Sequence, residues 1–125
     1  MSLIEIHARL GNTILYYVGI MALWGLWRFI RKHGPDSSYW GALVIGEILI
    51  LAQTSLGAYL WLSGVGQLAG RGIHILYGVV SLLVIPGAYL YTQGDEQRRA
   101  SLIYGVALLF LAGIIIRAIS TAAGG

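Results

Sequence analysis

The sequence predicts an all-α membrane protein, an up-down-up-down bundle of four transmembrane helices with both termini on the extracytoplasmic side. Three observations carry this. Four apolar runs each reach the roughly 20 residues that a helix needs to cross a hydrocarbon core about 30 Å thick. Hydrophobic residues fill 58% of the 125 positions and charged residues only 10%, with a mean hydropathy of +0.77; a soluble domain carries about a quarter charged residues to cover its surface. Finally, the eight basic residues sit at the ends of the apolar runs, where they orient a chain in a bilayer.

The first run extends from Leu3 to Ile30, with no charge between Arg9 and Arg28. The second, Tyr39 to Leu62, holds a single charge, Glu47. The third, Gly72 to Tyr91, has no formal charge but contains His74 and Pro86, the latter expected to kink the helix. The fourth, Ala100 to Thr121, is uncharged until Arg117. None alternates at period two, so these are helices rather than barrel strands. The connectors Arg31–Ser38, Ser63–Arg71 and Thr92–Arg99 are short, and Gly34-Pro35-Asp36 and Gln93-Gly94-Asp95 are turn chemistry. Short connectors make successive helices antiparallel neighbours in one domain spanning residues 1–125.

Orientation follows from the loops. The side of the first and third connectors holds Arg28, Arg31, Lys32, Arg98 and Arg99, against Arg9, Arg71 and Arg117 opposite. The basic-rich side is cytoplasmic by the positive-inside rule. Trp24, Trp27, Tyr39, Trp40 and Trp61 stand near span ends and read as interfacial anchors. The expected place is a cell membrane, the inner membrane of a prokaryote, crossed several times. The first run lacks a basic leader segment and is followed by arginines rather than by a small-residue cleavage site, so it is not read as a signal peptide. Cysteine is absent, which excludes disulfides, thiolate metal sites, iron–sulfur clusters and covalent c-type haem on this chain. The net charge of +3 and pI near 9.5 reflect those membrane-end cations, so no nucleic-acid partner is expected.

Two histidines lie at matching depth. Helices one and three run the same way, and His7 and His74 each stand a few residues into their helix, near the outer face. Each is followed four residues later by glycine, in His7-Ala-Arg-Leu-Gly11 and His74-Ile-Leu-Tyr-Gly78. Positions i and i+4 share a helix face, so Gly11 and Gly78 clear bulk beside each imidazole. Ser81 and Ala88 extend that small surface below His74, and Ala22 and Gly25 do so farther down helix one. Paired imidazoles around a flat space suit the iron of a b-type haem, which takes axial ligands on opposite faces of the ring. His7 and His74 are therefore the expected iron ligands. Arg117, Arg9 and Arg71, the cations near that face, are expected to pair with the propionates. A chlorophyll-type pigment would use the same features, whereas zinc or copper would want a third ligand. His33, in the first connector, is too far away to share the site.

Glu47 stands about two turns into the second helix, where an unpaired carboxylate is costly. A proton or quinol role and a structural hydrogen bond both answer that cost. Gln53, with Gly57 one turn on, reads as helix-packing glue.

These segments resemble one half of the haem A synthase family, whose members contain two similar four-helix halves. The resemblance rests on Glu5-Ile-His7-Ala-Arg9-Leu-Gly11 on the first helix, Gln53-Thr-Ser-Leu-Gly57 on the second and Ile73-His74 on the third, and covers nearly the whole chain. It implies a haem held near the outer face by His7 and His74. It also implies that a two-haem enzyme would need a second copy or a partner. The family places Arg directly after its first histidine and a Glu farther upstream; here Ala8 intervenes and Glu5 is two residues away.

Three readings stand at this point. The first is a haem-binding electron carrier or haem A synthase-like half. The second is a cofactor-free accessory subunit of a respiratory or photosynthetic complex. The third is a quinone-binding membrane anchor. In each, the bilayer is one partner, and further copies of the chain or a larger complex are another. Whether the chain is an enzyme stays open among them.

Overall fold

The computed structural model describes residues 1–64 and 71–122, the side chains of Arg71 and Ala122 excepted. The described residues form four helices and no strand: α1 (Leu3–Ile30), α2 (Ser37–Leu62), α3 (Arg71–Thr92) and α4 (Arg98–Ala122). All four are long and apolar enough to cross a membrane.

Local chemistry sets the boundaries. Ser2 caps α1, its Oγ accepting the Glu5 amide at 3.2 Å and donating to Glu5 Oε1 at 3.3 Å, a form of the Ser-x-x-Glu start signal. Asp36 caps α2 by accepting the Tyr39 amide at 2.9 Å. The helix therefore begins at Ser37, two residues ahead of the apolar run. Arg98 and Arg99 likewise belong to α4 although they precede its apolar stretch. Hydropathy marks the length that lipid covers, whereas caps mark where the backbone starts to turn. Pro86 lies inside an uninterrupted α3, where it leaves the carbonyl of Leu82 without its usual amide donor.

Around the bundle the helices follow the order α1, α2, α3, α4. The α1–α4 pairing is the most extensive and α2–α3 the slightest, and no Cα atom of α1 comes within 8 Å of one in α3 among the described residues. The α1–α4 contact is close because glycines face each other. A Cβ on Gly25 would stand 3.1 Å from the Gly105 Cα, and one on Gly105 would stand 3.0 Å from the Leu26 amide nitrogen. Small residues let membrane helices approach until backbones touch. Ile14, Val18, Met21, Leu43, Ile50, Ile85, Leu108 and Leu111 fill the space between helices.

At the end of the molecule that holds the first and third connectors, aromatic rings fill the core. Trp24 packs on Tyr39 (centroids 4.9 Å apart), Tyr39 on Tyr104 (6.2 Å), and Trp40 on both Tyr104 (5.4 Å) and Tyr89 (5.6 Å). Tyr39 is therefore no interfacial anchor. It is fully buried, and its hydroxyl donates to the Met21 carbonyl at 3.1 Å. Trp27 and Trp61 are 56% and 43% exposed. The two connectors also hold each other. A Cβ on Gly34 would fall 1.6 Å from the Glu96 carbonyl oxygen, and Ser101 Oγ donates to the His33 carbonyl at 2.7 Å.

Candidate functional site

His7 lies in the second turn of α1 and His74 in the first turn of α3. Although the backbones of those helices stay apart, the imidazoles meet across the bundle, with centroids 6.2 Å apart and planes at 82°. The neighbouring helices supply the scaffold. On the α2 side, Gln53 Nε2 donates to the His7 carbonyl at 2.7 Å. Gly57, one turn on, gives the His7 ring its space, since a Cβ there would stand 3.0 Å from His7 Cε1. Gln53 and Gly57 thus grip a single residue, one by its backbone and the other by leaving room for its ring. The expected role of Gln53 in helix packing is correct but incomplete.

On the α4 side, His74 Nδ1 lies 2.9 Å from the Ala118 carbonyl and 3.3 Å from Thr121 Oγ1. A carbonyl only accepts, so Nδ1 carries the proton and Nε2 of the neutral ring keeps its lone pair. The Thr121 hydroxyl gives its own proton to the Ala118 carbonyl at 3.0 Å, which leaves its oxygen free to accept from the same Nδ1–H. His7 lacks a matching anchor: its Nδ1 is buried without a hydrogen-bond partner, and so is Gln53 Oε1. A buried polar group left unpaired is costly, so each such atom asks for a partner.

The glycines that follow the histidines are approached from α2, tightly at Gly11 and at ordinary contact distance at Gly78. The Cβ position of Gly11 is approached by Gln53 Nε2 at 3.1 Å, and that of Gly78 by Thr54 Cγ2 at 3.8 Å. Each notch admits an α2 side chain one turn below an imidazole. Farther along, Gly25 seats Tyr39 and α4, its Cβ position only 2.5 Å from the Tyr39 hydroxyl. Ala22 is fully buried in the core, and Ser81 and Ala88 are buried too.

The side chains of Arg9 and Arg117 are exposed, and neither guanidinium forms a hydrogen bond or ion pair in the described residues. The Arg71 side chain lies outside the described residues. Glu5 is exposed and engaged in the α1 cap rather than with an imidazole. Among the described residues no cluster of three or more His, Cys, Asp or Glu side chains could hold a metal ion. The pair by itself therefore makes no zinc or copper cage.

No family model matches the chain, nor does any curated protein or solved structure. The functional reading draws on the residues alone. Two of its supports, the Ala118 carbonyl and the Thr121 hydroxyl, had no counterpart in the sequence reasoning. Thr121 is the one that leaves a signal, as a polar residue at the end of an apolar run, level with a histidine near the start of another.

Proposed function

We propose that the chain is a multi-pass protein of the cell membrane that holds one b-type haem between His7 and His74 and carries electrons. In this reading the bundle is up-down-up-down with both termini outside. Its topology is supported by the contacts at each end: the starts of α1 and α3 meet the ends of α2 and α4 through His7–Gln53 and His74–Ala118, while Tyr39, Trp40, Tyr89 and Tyr104 gather at the other. Its orientation is supported by the five cations flanking the first and third connectors against three opposite.

The imidazole pair carries the proposal. The two rings that would hold the iron already face each other across the bundle, with centroids 6.2 Å apart. With Nδ1 of His74 donating to Ala118, Nε2 is the atom left to ligate, and this second contact also fixes the ring's orientation. The buried, unpaired His7 Nδ1 and Gln53 Oε1 are a donor and an acceptor on residues already joined through the His7 carbonyl. A hydrogen bond between them would leave His7 the same ligating atom.

Bound haem would supply an iron that takes up and returns one electron. The chain's own part is to hold the rings, through Gln53 and Gly57 for one and through Ala118 and Thr121 for the other. Arg9 and Arg117, free of other partners among the described residues, are the cations available to propionates. Synthase-like chemistry has less support, because Glu5 is committed to the helix cap. The accessory-subunit reading draws on Glu47, whose Oε1 is buried and unpaired in the middle of an apolar helix, where a carboxyl group is costly without a role.

The test is a haem titration of the purified protein, followed by a dithionite-reduced minus oxidised spectrum. One haem per chain with sharp reduced bands is expected, and a folded protein that stays colourless sinks the proposal.

A further inference from the structure

The C-terminal end of α1 leaves its cations unequally used. Arg28 is fully committed: Nε and Nη2 donate to the Gly34 carbonyl at 2.9 and 2.5 Å, and Nη1 pairs with Asp36 at 3.4 Å. Arg31, Lys32 and His33, which follow, are exposed. The helix closes on them through a Schellman turn, with the Lys32 amide donating to Phe29 O at 3.0 Å and the His33 amide to Arg28 O at 2.8 Å.

Lys32 stands at φ 64°, in the left-handed region where such turns ordinarily take glycine and where a side chain is strained. A lysine kept there against its backbone preference points to a use for its charge. The turn also brings the Arg31 guanidinium over the Trp27 ring, 5.5 Å from its centroid. A cleft of about 310 Å³ opens beside them, lined by Trp24, Trp27, Arg28, Arg31 and His33. The facing acids leave this charge unbalanced. Asp36 is taken by Arg28, Asp95 caps the Gln97 amide, and Glu96 forms no ion pair among the described residues.

We infer that this cleft binds the phosphate of an anionic phospholipid headgroup. The inference rests on the chain spanning a bilayer and not on haem. The cleft lies where α1 leaves its apolar stretch, at headgroup depth in a spanning helix. Arg31 supplies charge to the phosphate from the cleft wall, exposed Lys32 adds charge beside the cleft without lining it, and the exposed edge of Trp27 lies against the glycerol and upper acyl region. Basic pockets at the cytoplasmic ends of membrane helices suit such lipids. The source is lipid rather than free phosphate, because two tryptophans, Trp24 and Trp27, line the cleft beside its cations.

The experiment is native mass spectrometry of the full chain, delipidated and then given phosphatidylglycerol or phosphatidylcholine at equal concentrations. The wild type should retain one phosphatidylglycerol in preference to phosphatidylcholine. Arg31→Gln and Lys32→Gly should each weaken that retention about five-fold. Lys32→Gly should at the same time raise the thermal unfolding temperature by removing the left-handed strain, so its loss of lipid cannot be a loss of fold. Equal retention of the two lipids, or unchanged retention in both variants, overturns the inference. Displacement of the lipid by millimolar inorganic phosphate overturns the lipid assignment in favour of a free-phosphate site.

Discussion

His7 and His74 meet because each is held by something other than its own helix. Gly57 has no side chain where the His7 ring lies, so Gly57→Ala drives a methyl into a 3.0 Å contact with Cε1 and must turn the ring. In the haem-bound protein this variant should weaken haem affinity at least ten-fold in a spectral titration, while thermal unfolding of the haem-free protein drops only slightly. Gln53→Ala removes the 2.7 Å bond to the His7 carbonyl, and interhelical hydrogen bonds in membranes are worth about 0.6 kcal/mol on average. Its expected mark is therefore a small change in stability together with a shifted haem midpoint potential, measured by redox titration. The histidines themselves were legible in the sequence, because equal distance from the starts of two parallel helices is a statement about position. Their partners were not: a backbone carbonyl such as that of Ala118 has no residue identity to read, and nothing in a glycine on another helix announces which ring it accommodates. The H-x-x-x-G repeat was read as clearance for a flat group, yet α2 side chains reach those notches.

At the level of elements, the apolar runs made all four helices legible, and the differences arise at their ends. Asp36 starts α2 at Ser37 because it satisfies the Tyr39 amide, a local event to which hydropathy is blind. The same residue shows why the aromatic belt was over-assigned. Tyr39 stands at a span end, as a belt residue should, but it faces inward, where the Met21 carbonyl satisfies its hydroxyl. Tyr39→Phe leaves that carbonyl without its second donor and should cost about 1 kcal/mol, read as a lower unfolding temperature in detergent. Gly34→Ala should be far worse. Its methyl would sit on the Glu96 carbonyl at 1.6 Å, so the first and third connectors must separate, and a loss of about 2–4 kcal/mol is expected in the same measurement.

For the whole molecule, lipid completes what the chain leaves bare. No more than 28% of the most apolar window of any span is buried within the chain, and Tyr16, Leu23, Ile48, Leu83, Leu90 and Phe110 all face outward. An exposed apolar surface on this scale requires a bilayer or another subunit. Orientation can be tested without background, since the chain has no cysteine. A membrane-impermeant maleimide applied to intact cells should label Ser63→Cys and spare Ser38→Cys, and the reverse pattern would invert the assigned topology. The order of helices around the bundle, with α1 and α3 facing each other across it, also decides whether two imidazoles can share one iron. The most direct test is electron paramagnetic resonance of the haem-loaded, oxidised protein. Imidazole planes at 82° predict a highly anisotropic low-spin ferric signal, which should become high-spin in both His7→Ala and His74→Ala. A signal that survives either substitution, or a protein that takes up no haem, contradicts ligation by this pair.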